Sequence, residues 1–338
     1  MMKSFSYLYS FFLLLFCSCS SANKEVVRIA NQSYHVITDS IYARLPGTIL
    51  YQDGKVYWQD AISADNFMHV VEVASGRETA CFGSIGEGPE EMTLPIFSLS
   101  EKGLYLNDTN KPLEQHWQFD KSSGLYSATS QKYQNDANVT RLLHLDSETL
   151  LSLCPAEDKL FEVSKSGNVE TAFGERPIVE EMNNAYNTFQ GNVEYNSDRD
   201  LLVYSCMVFP YVAVYKQSGL KDWELVSELK GTWDYSMSEG KLKFASSSPR
   251  GASELALTDD YIVLLQRDDT VEESVPRERA GRDPSTLPKS LFVYDYKLNL
   301  KKIINMSFPI LRLCGDVDSN TVYAICVNPD FEMISIKL

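Results

Sequence analysis

Short apolar β-type runs recur along the whole body of the chain, each closed off by Gly, Asn, Asp or Ser. One series is KVYWQ (55–59), GLYLN (103–107), TLLSLC (149–154), LLVYS (201–205), YIVLL (261–265) and TVYAIC (321–326). A tight polar turn precedes each of them, from Gln52-Asp53-Gly54 to Asp318-Ser319-Asn320, and another apolar run lies ahead of the turn. Each unit therefore opens with a hairpin. A second hairpin follows in most units. HVVEV (69–73) turns at Ser75-Gly76 into ETACF (78–82), KLFEV (159–163) turns at Gly167, and YVAVY (211–215) turns at Gly219. Two hairpins make a four-stranded meander.

With Val56, Leu104, Leu150, Leu201, Tyr261 and Val322 as markers, the steps are 48, 46, 51, 60 and 61 residues. Two polar insertions, near 231–254 and 267–290, lengthen the last two. A four-stranded unit repeating every ~45–50 residues is the signature of a β-propeller. The series strands are apolar almost throughout, as expected where both faces of a sheet pack against neighbours. The predicted fold is thus all-β: a six-bladed propeller of four-stranded antiparallel blades over residues 26–338. The sixth unit stops one strand short. Either VVRIA (26–30) or SYHVIT (33–38) is expected to supply that strand beside EMISIK (332–337), closing the ring without a bare edge. Helical periodicity is scarce, with a turn or two expected between Ile178 and Ala185.

The charge balance narrows the partners. The chain has 31 basic and 46 acidic residues, a net charge of −15. Such an acidic surface excludes nucleic acid as a partner and excludes adhesion to anionic headgroups by charge alone. A monomer is expected. Beyond Cys17 and Cys19, five cysteines remain, at 81, 154, 206, 314 and 326, each inside an apolar run. That is a poor disulfide framework and a poor zinc site, although Cys314 and Cys326 flank one turn almost symmetrically and form a candidate bridge.

Residues 1–25 indicate where the protein works. Lys3 gives a short positive segment, FSYLYSFFLLLF (5–16) is apolar but too short to span a bilayer, and Phe16-Cys17-Ser18-Cys19-Ser20-Ser21 follows. This is a secretory signal pattern. It resembles the lipobox of bacterial lipoproteins, in the loose form found in Bacteroidetes. The resemblance implies a signal peptide at 1–18, lipidation of Cys19, a tether at 19–25 and a membrane tie through lipid alone. The expected location is the cell envelope, as an outer-membrane lipoprotein on either its periplasmic or its surface side.

Directly after the first unit comes Gly83-Ser84-Ile85-Gly86-Glu87-Gly88-Pro89-Glu90-Glu91. Its G-x-G-P-x-E segment, with LFVYDYKLNLKKII (291–304) and the C-terminal SNTVYAI…ISIKL, resembles the TolB-like six-bladed propeller lipoproteins of Bacteroidetes. The resemblance implies fold and location and adds no catalytic residues. Gly86 and Gly88 are expected to supply positive φ in a blade-to-blade turn. The three glutamates and the missing Gly-Lys-Ser/Thr exclude a phosphate cradle.

Candidate chemistry is sparse. His35, His69, His116 and His144 show no ligand spacing, and no G-x-S-x-G or H-E-x-x-H motif is present. Asp60, Asp108, Asp268 and Asn328 each end or follow a second strand, where an oxygen-rich rim could hold Ca²⁺ or simply cap turns. The long connections 83–95, 174–191, 231–254 and 267–290 should emerge on one face. They carry Tyr186, Phe189, Trp233, Tyr235, Met237, Arg250, Arg277, Arg279 and Arg282, residue types common in binding surfaces. Two functions follow. One is a non-catalytic module that binds a protein, peptide or glycan through this face. The alternative is a hydrolase or lyase that uses carboxylates in the central channel. Convergent polar residues deep in the channel would favour the second.

Overall fold

The computed structural model describes residues 26–63, 65–100, 102–132, 139–267, 269–274 and 286–338. Cys19, the segments 1–18 and 19–25, Asp268, Arg277, Arg279 and Arg282 lie outside these residues. After β1 (Val27–Ala30) and β2 (His35–Thr38), blade 1 consists of β3 (Pro46–Gln52), β4 (Lys55–Asp60), β5 (Asp65–Glu72) and β6 (Arg77–Ser84). Blade 2 is β7 (Pro95–Ser100), β8 (Gly103–Asp108), β9 (Glu114–Asp120) and β10 (Leu125–Gln131). Blade 3 is β11 (Arg141–His144), β12 (Thr149–Leu153), β13 (Lys159–Lys165) and β14 (Asn168–Glu175). The single-turn helix α1 (Ala185–Thr188) then leads to blade 4, with β15 (Gly191–Asn196), β16 (Leu201–Cys206), β17 (Tyr211–Gln217) and β18 (Trp223–Lys230). A hairpin of β19 (Tyr235–Ser238) and β20 (Lys241–Phe244) precedes blade 5, formed by β21 (Ala252–Leu257), β22 (Tyr261–Gln266), β23 (Ser290–Asp295) and β24 (Leu300–Asn305). Blade 6 contains β25 (Ile310–Asp316), β26 (Thr321–Val327) and β27 (Phe331–Lys337), and β2 is its fourth strand.

Each blade is an antiparallel meander in chain order, as the paired hairpins predict. Ring closure comes from the second of the two candidate strands. His35 lies opposite Ser335 and Val36 opposite Ile334. β1 takes a different place, running parallel to β24 from Val27↔Lys302 to Ala30↔Asn305. Asn31, at φ 58°, turns the chain between the two. One short segment thus covers the outer edges of two adjacent blades, which removes two aggregation-prone edges.

The second strands are buried through most of their length, most completely in GLYLND of β8 and LLVYSC of β16. Apolar clusters hold the ring together at five of its seams. They join blades 1 and 2 around Phe67 and Leu106, blades 3 and 4 around Phe161 and Tyr204, and blades 4 and 5 around Val214 and Ile262. Blades 5 and 6 meet around Val263 and Ile334, and blades 6 and 1 around Trp58 and Ile325. Between blades 2 and 3 the contact is different in kind. There Tyr105 stacks between His144, 3.8 Å away between ring centroids, and His116, 4.2 Å away, and the surrounding groups are polar.

Two local expectations need correction. Neither Gly86 nor Gly88 has a positive φ. Glycine is needed there because a Cβ on Gly86 would lie 2.1 Å from the Glu91 carboxylate, and one on Gly88 3.0 Å from it. That carboxylate accepts the Gly88 N–H at 2.8 Å, and the loop's carbonyls surround the Lys111 ammonium, with Gly86 O at 2.7 Å and Glu91 O at 2.9 Å. The candidate bridge fails on register. Cys314 lies opposite Tyr323 and Cys326 opposite Ile310, so the two thiols belong to different seams and stay free.

Candidate functional site

The first strands β3, β7, β11, β15, β21 and β25 face one another around the axis and enclose a cavity of ≈ 1270 Å³. In a four-stranded meander, the connections from second to third strand and from blade to blade share one face. All the long connections are of these two kinds, and the cavity opens on their side, bordered by Arg44, Ile62, Met207 and Pro288. Toward the opposite face the first strands of blades 5 and 6 pack closely. At Gly315 the backbones of β25 and β21 approach so nearly that a Cβ would lie 1.9 Å from the Leu257 carbonyl oxygen.

Along four successive first strands the wall becomes charged, with Arg141 at the start of β11, Glu194 on β15, Glu254 on β21 and Arg312 on β25. Register shifts between Ala252 and Glu254 and between Ile310 and Arg312 mark two of these strands, and such bulges re-aim side chains. Arg312 acts as a clamp. Its Nε donates to Gly47 O at 2.9 Å, and its Nη1 donates to Glu254 Oε1 at 3.1 Å and to Leu311 O at 3.1 Å. It thereby ties blades 5, 6 and 1 together. Arg141 makes a single contact of this kind, donating from Nη2 to Asn192 Oδ1 at 3.2 Å, and Asn192 in turn donates to Ser253 O at 3.0 Å.

Glu194 has no hydrogen-bond partner among the described residues. Burial within the ring, opposed by Arg141 and reinforced by the charge of Glu254, pushes its pKa up to about 8. This environment favours the neutral carboxylic acid, whose O–H can donate. Burial also raises the pKa of Glu254, but Arg312 and Arg141 oppose this.

The second polar cluster lies in the seam between blades 2 and 3. Ser98 Oγ lies 2.7 Å from His144 Nδ1, and His144 Nε2 lies 3.0 Å from Glu114 Oε2. Asn107 donates to Glu114 at 2.7 Å, and Gln131 also donates to it. An ionised Glu114 only accepts, so the network assigns the proton to Nε2, and Ser98 donates to Nδ1. The hydroxyl–imidazole–carboxylate order is that of a hydrolytic relay. All three groups are buried, however, with Ser98 only 2 % exposed, so no substrate reaches the hydroxyl. The cluster serves packing.

A TolB-like 6-blade propeller-like family model matches residues 23–320. The chain belongs to the TolB-like six-bladed propeller family. Among solved structures, this TolB-like propeller is similar to a DUF4221-family protein of Bacteroides vulgatus, at 12 % identity and TM-score 0.58, over 91 % of this chain and 96 % of that one. A Bacteroides fragilis protein described as exported aligns at 10 % identity and TM-score 0.53, over 92 % and 99 %. The calcium-binding protein regucalcin of Agrobacterium tumefaciens aligns at 8 % identity and TM-score 0.51, over 93 % and 96 %. No curated protein matches in sequence. At such identities the likeness concerns the fold, which as a TolB-like propeller is a binding module in the general sense.

The residues singled out from the sequence fall mostly around blade 4, away from the cavity wall. Asn184 bonds both ways with Leu242, at 3.0 and 2.9 Å, and docks the β19–β20 hairpin on the connection that carries α1. Tyr235 donates to Glu180 at 2.6 Å. Tyr186 and Tyr235 are exposed, each at 37 %, and Met237 is exposed beside them. Trp233 is half-buried against Phe209, with ring centroids 4.9 Å apart. Two members of the set are taken up by internal contacts. Phe189 is fully buried because its ring fills the core between blades 3 and 4, and Arg250 turns inward to Ser274, 2.5 Å away.

Two of the Ca²⁺ candidates, Asp60 and Asp108, commit their carboxylates to their own turns. Asp108 is buried and accepts from Thr93, from the Asn110 N–H at 2.7 Å and from the Lys111 N–H at 3.0 Å, and these bonds hold its pKa below the usual carboxylate range. Asp60 accepts the Ile62 N–H at 3.1 Å, and the Asn328 N–H bonds Asp330 O at 2.8 Å. Among the described residues no group of three or more His, Cys, Asp or Glu side chains is placed to hold a metal. The channel quartet was the site that sequence reading missed. Its signal was present: Arg141, Glu194, Glu254 and Arg312 each interrupt a short first-strand run, RLLH, GNVEYN, ASELAL and ILRLCGD.

Proposed function

We propose that this propeller is an envelope protein, lipid-anchored through Cys19, that binds a protein, peptide or glycan segment at the mouth of its channel without transforming it. The observation that carries the reading is the coincidence of two features on one face. The ≈ 1270 Å³ cavity opens there, and every long connection emerges there. A rigid ring with a wide, preformed mouth suits capture, since little ordering is needed on binding. The Lys3, 5–16 apolar and Cys19 pattern supports the anchor and the location.

A plug tests the binding reading. Thr48→Trp combined with Ile96→Trp, both on the cavity wall, should reduce ligand capture by the lipid-free body at least tenfold, while Tyr235→Ala leaves it unchanged. Equal capture by the plugged and unplugged proteins rules the channel out. Separately, Cys19→Ala should release the protein from membranes.

A second reading, a hydrolase or lyase, is favoured by the convergence of Glu194 and Glu254 in the channel. Two-carboxyl chemistry needs both groups available, and Glu254 is engaged by Arg312 at 3.1 Å. Turnover of an ester or a uronide that Glu194→Gln abolishes would establish the enzyme instead.

A further inference from the structure

We infer that the channel site recognises the C-terminal carboxylate of a peptide chain, with Arg141 and Glu194 as the two groups that hold it. The inference rests on the binding reading above and specifies its ligand.

Charge supplies the first argument. Among the described residues, the cavity wall carries Arg44, Arg141, Arg267 and Arg312, and no lysine. Against these four stand three acids, Glu194, Glu254 and Asp269. The wall is therefore net positive even with every acid ionised, inside a chain of net charge −15. In a low-dielectric cleft this net positive excess favours anions, in contrast to the acidic outer surface.

Valence supplies the second. Arg312 and Glu254 satisfy each other. Arg141 is half-engaged through Asn192, and Glu194 has no hydrogen-bond partner among the described residues. One guanidinium with free donors beside one protonated carboxyl offers donors and no anionic acceptor. That pair complements a carboxylate, which accepts a charge-assisted bond from the guanidinium and an O–H bond from the acid.

Shape and lining select the source of the carboxylate. The cavity is open on the long-connection face, and the single carboxylate that this pair complements is carried at the end of a peptide chain. Between mouth and quartet the wall is mainly aliphatic, with Ile49, Ile62, Ile96, Leu287 and Leu311. Aliphatic walls fit peptide side chains. A sugar would favour exposed aromatic platforms, and Tyr186 and Tyr235 lie outside this wall. Capture of a chain terminus by its charge is a recurrent recognition mode.

The site is pH-dependent in a defined direction. The electrostatic neighbours of Glu194 are Arg141 from β11, Glu254 from β21 and the Cys314 thiol from β25, which burial keeps neutral. Arg312 and Arg267 act on Glu254. Raising the pH removes the Glu194 proton and places an anion against the ligand's anion, so affinity falls.

The test titrates the lipid-free protein with a pool of N-acetylated apolar pentapeptides bearing a free C-terminal carboxylate. The same pool amidated and trigalacturonic acid serve as the other arms, each measured at pH 6.5 and pH 9. The expected result is binding of the free-acid pool at pH 6.5, at least about tenfold weaker at pH 9, with the amidated pool down by a similar factor. Loss of one charge-assisted bond in Arg141→Met should weaken binding about 10- to 100-fold. Glu194→Gln should bind a few-fold more weakly at pH 6.5 and lose the pH dependence, and Glu148→Gln, in the β11–β12 turn on the opposite face, should match the wild type. Equal binding of free-acid and amidated pools overturns the inference, as does binding of trigalacturonic acid alone. An unchanged pH dependence in Glu194→Gln removes Glu194 from the site. If no pool binds while the tryptophan plug still abolishes capture of the natural ligand, only the ligand class fails. If the plug has no effect, the binding reading itself fails.

Discussion

The seam between blades 2 and 3 and the channel wall of blades 3 to 6 both gather polar side chains, but they differ in how completely those groups are satisfied. In the seam, Glu114 takes bonds from His144, Asn107 and Gln131, and the Ser98 hydroxyl completes the imidazole. The network is closed. In the channel, Arg312 and Glu254 satisfy each other, while Arg141 and Glu194 keep valences that face the lumen. A polar cluster that satisfies itself replaces an apolar core. One that is left open on the side of a cavity is a site.

The strongest way to break this contrast is to delete one acid from each region. Glu114→Ala leaves the buried imidazole and two amides without their acceptor, and breaking a buried pair costs about 3–5 kcal/mol. Glu194→Ala removes a group that no neighbour depends on and should cost less than ~1 kcal/mol. Urea unfolding of the two variants measures the difference, and comparable losses would mean that the channel acid is structural after all.

The fold was largely legible because its signals are local and repeated. The hairpin pairs, their spacing and the missing sixth-unit strand all follow from apolar runs and turn residues, and Val36 and Ile37 do lie beside Met333 and Ile334. The parallel docking of β1 on β24 was not legible, because VVRIA and SYHVIT are equally good strands and only the three-dimensional path separates them. Phe189 was misread for a related reason. An aromatic residue in a long connection reads as exposed until the packing of α1 turns it into the core. The channel quartet required the six first strands to be superimposed around an axis, which no single stretch of sequence reveals.

Arg312 marks where the channel stops being a site and becomes scaffold, and a smaller effect tests that boundary. Lysine keeps the charge but cannot donate along the Nε and Nη1 directions at once, so Arg312→Lys loses the bond to Gly47 O or the bond to Glu254. Bonds of this kind contribute about 1.5–3 kcal/mol. Arg141→Lys, which gives up one bond to Asn192, should cost under ~1 kcal/mol. Thermal unfolding of the pair should therefore separate them clearly. Near-equal losses would move Arg141 into the scaffold and leave the channel with one open group.

The finest distinction between the regions is the sign of their pH dependence. In the seam, burial holds the His144 pKa below its ordinary 6.5, and its hydrogen bonds hold that of Glu114 below its ordinary 4.5. As the pH falls below those values the unfolded chain takes up protons first, so the seam's contribution is lost on acidification. Glu194 behaves oppositely. Its pKa rises from 4.5 to about 8 on folding, so between those values the folded chain holds a proton that the unfolded chain has released. Stability therefore falls as the pH rises across that window and levels off above it. Glu194→Gln removes the titration. The variant should match the wild type at pH 5 and exceed it at pH 9 by roughly 1–2 kcal/mol, a fraction of the full linkage value because the carboxyl touches channel water. Chemical unfolding at the two pH values reads this directly. A wild type and variant that run parallel from pH 5 to pH 9 would show that Glu194 ionises in the folded protein much as it does in the unfolded chain, and that the channel is wetter and closer to bulk solvent than its position in the ring implies.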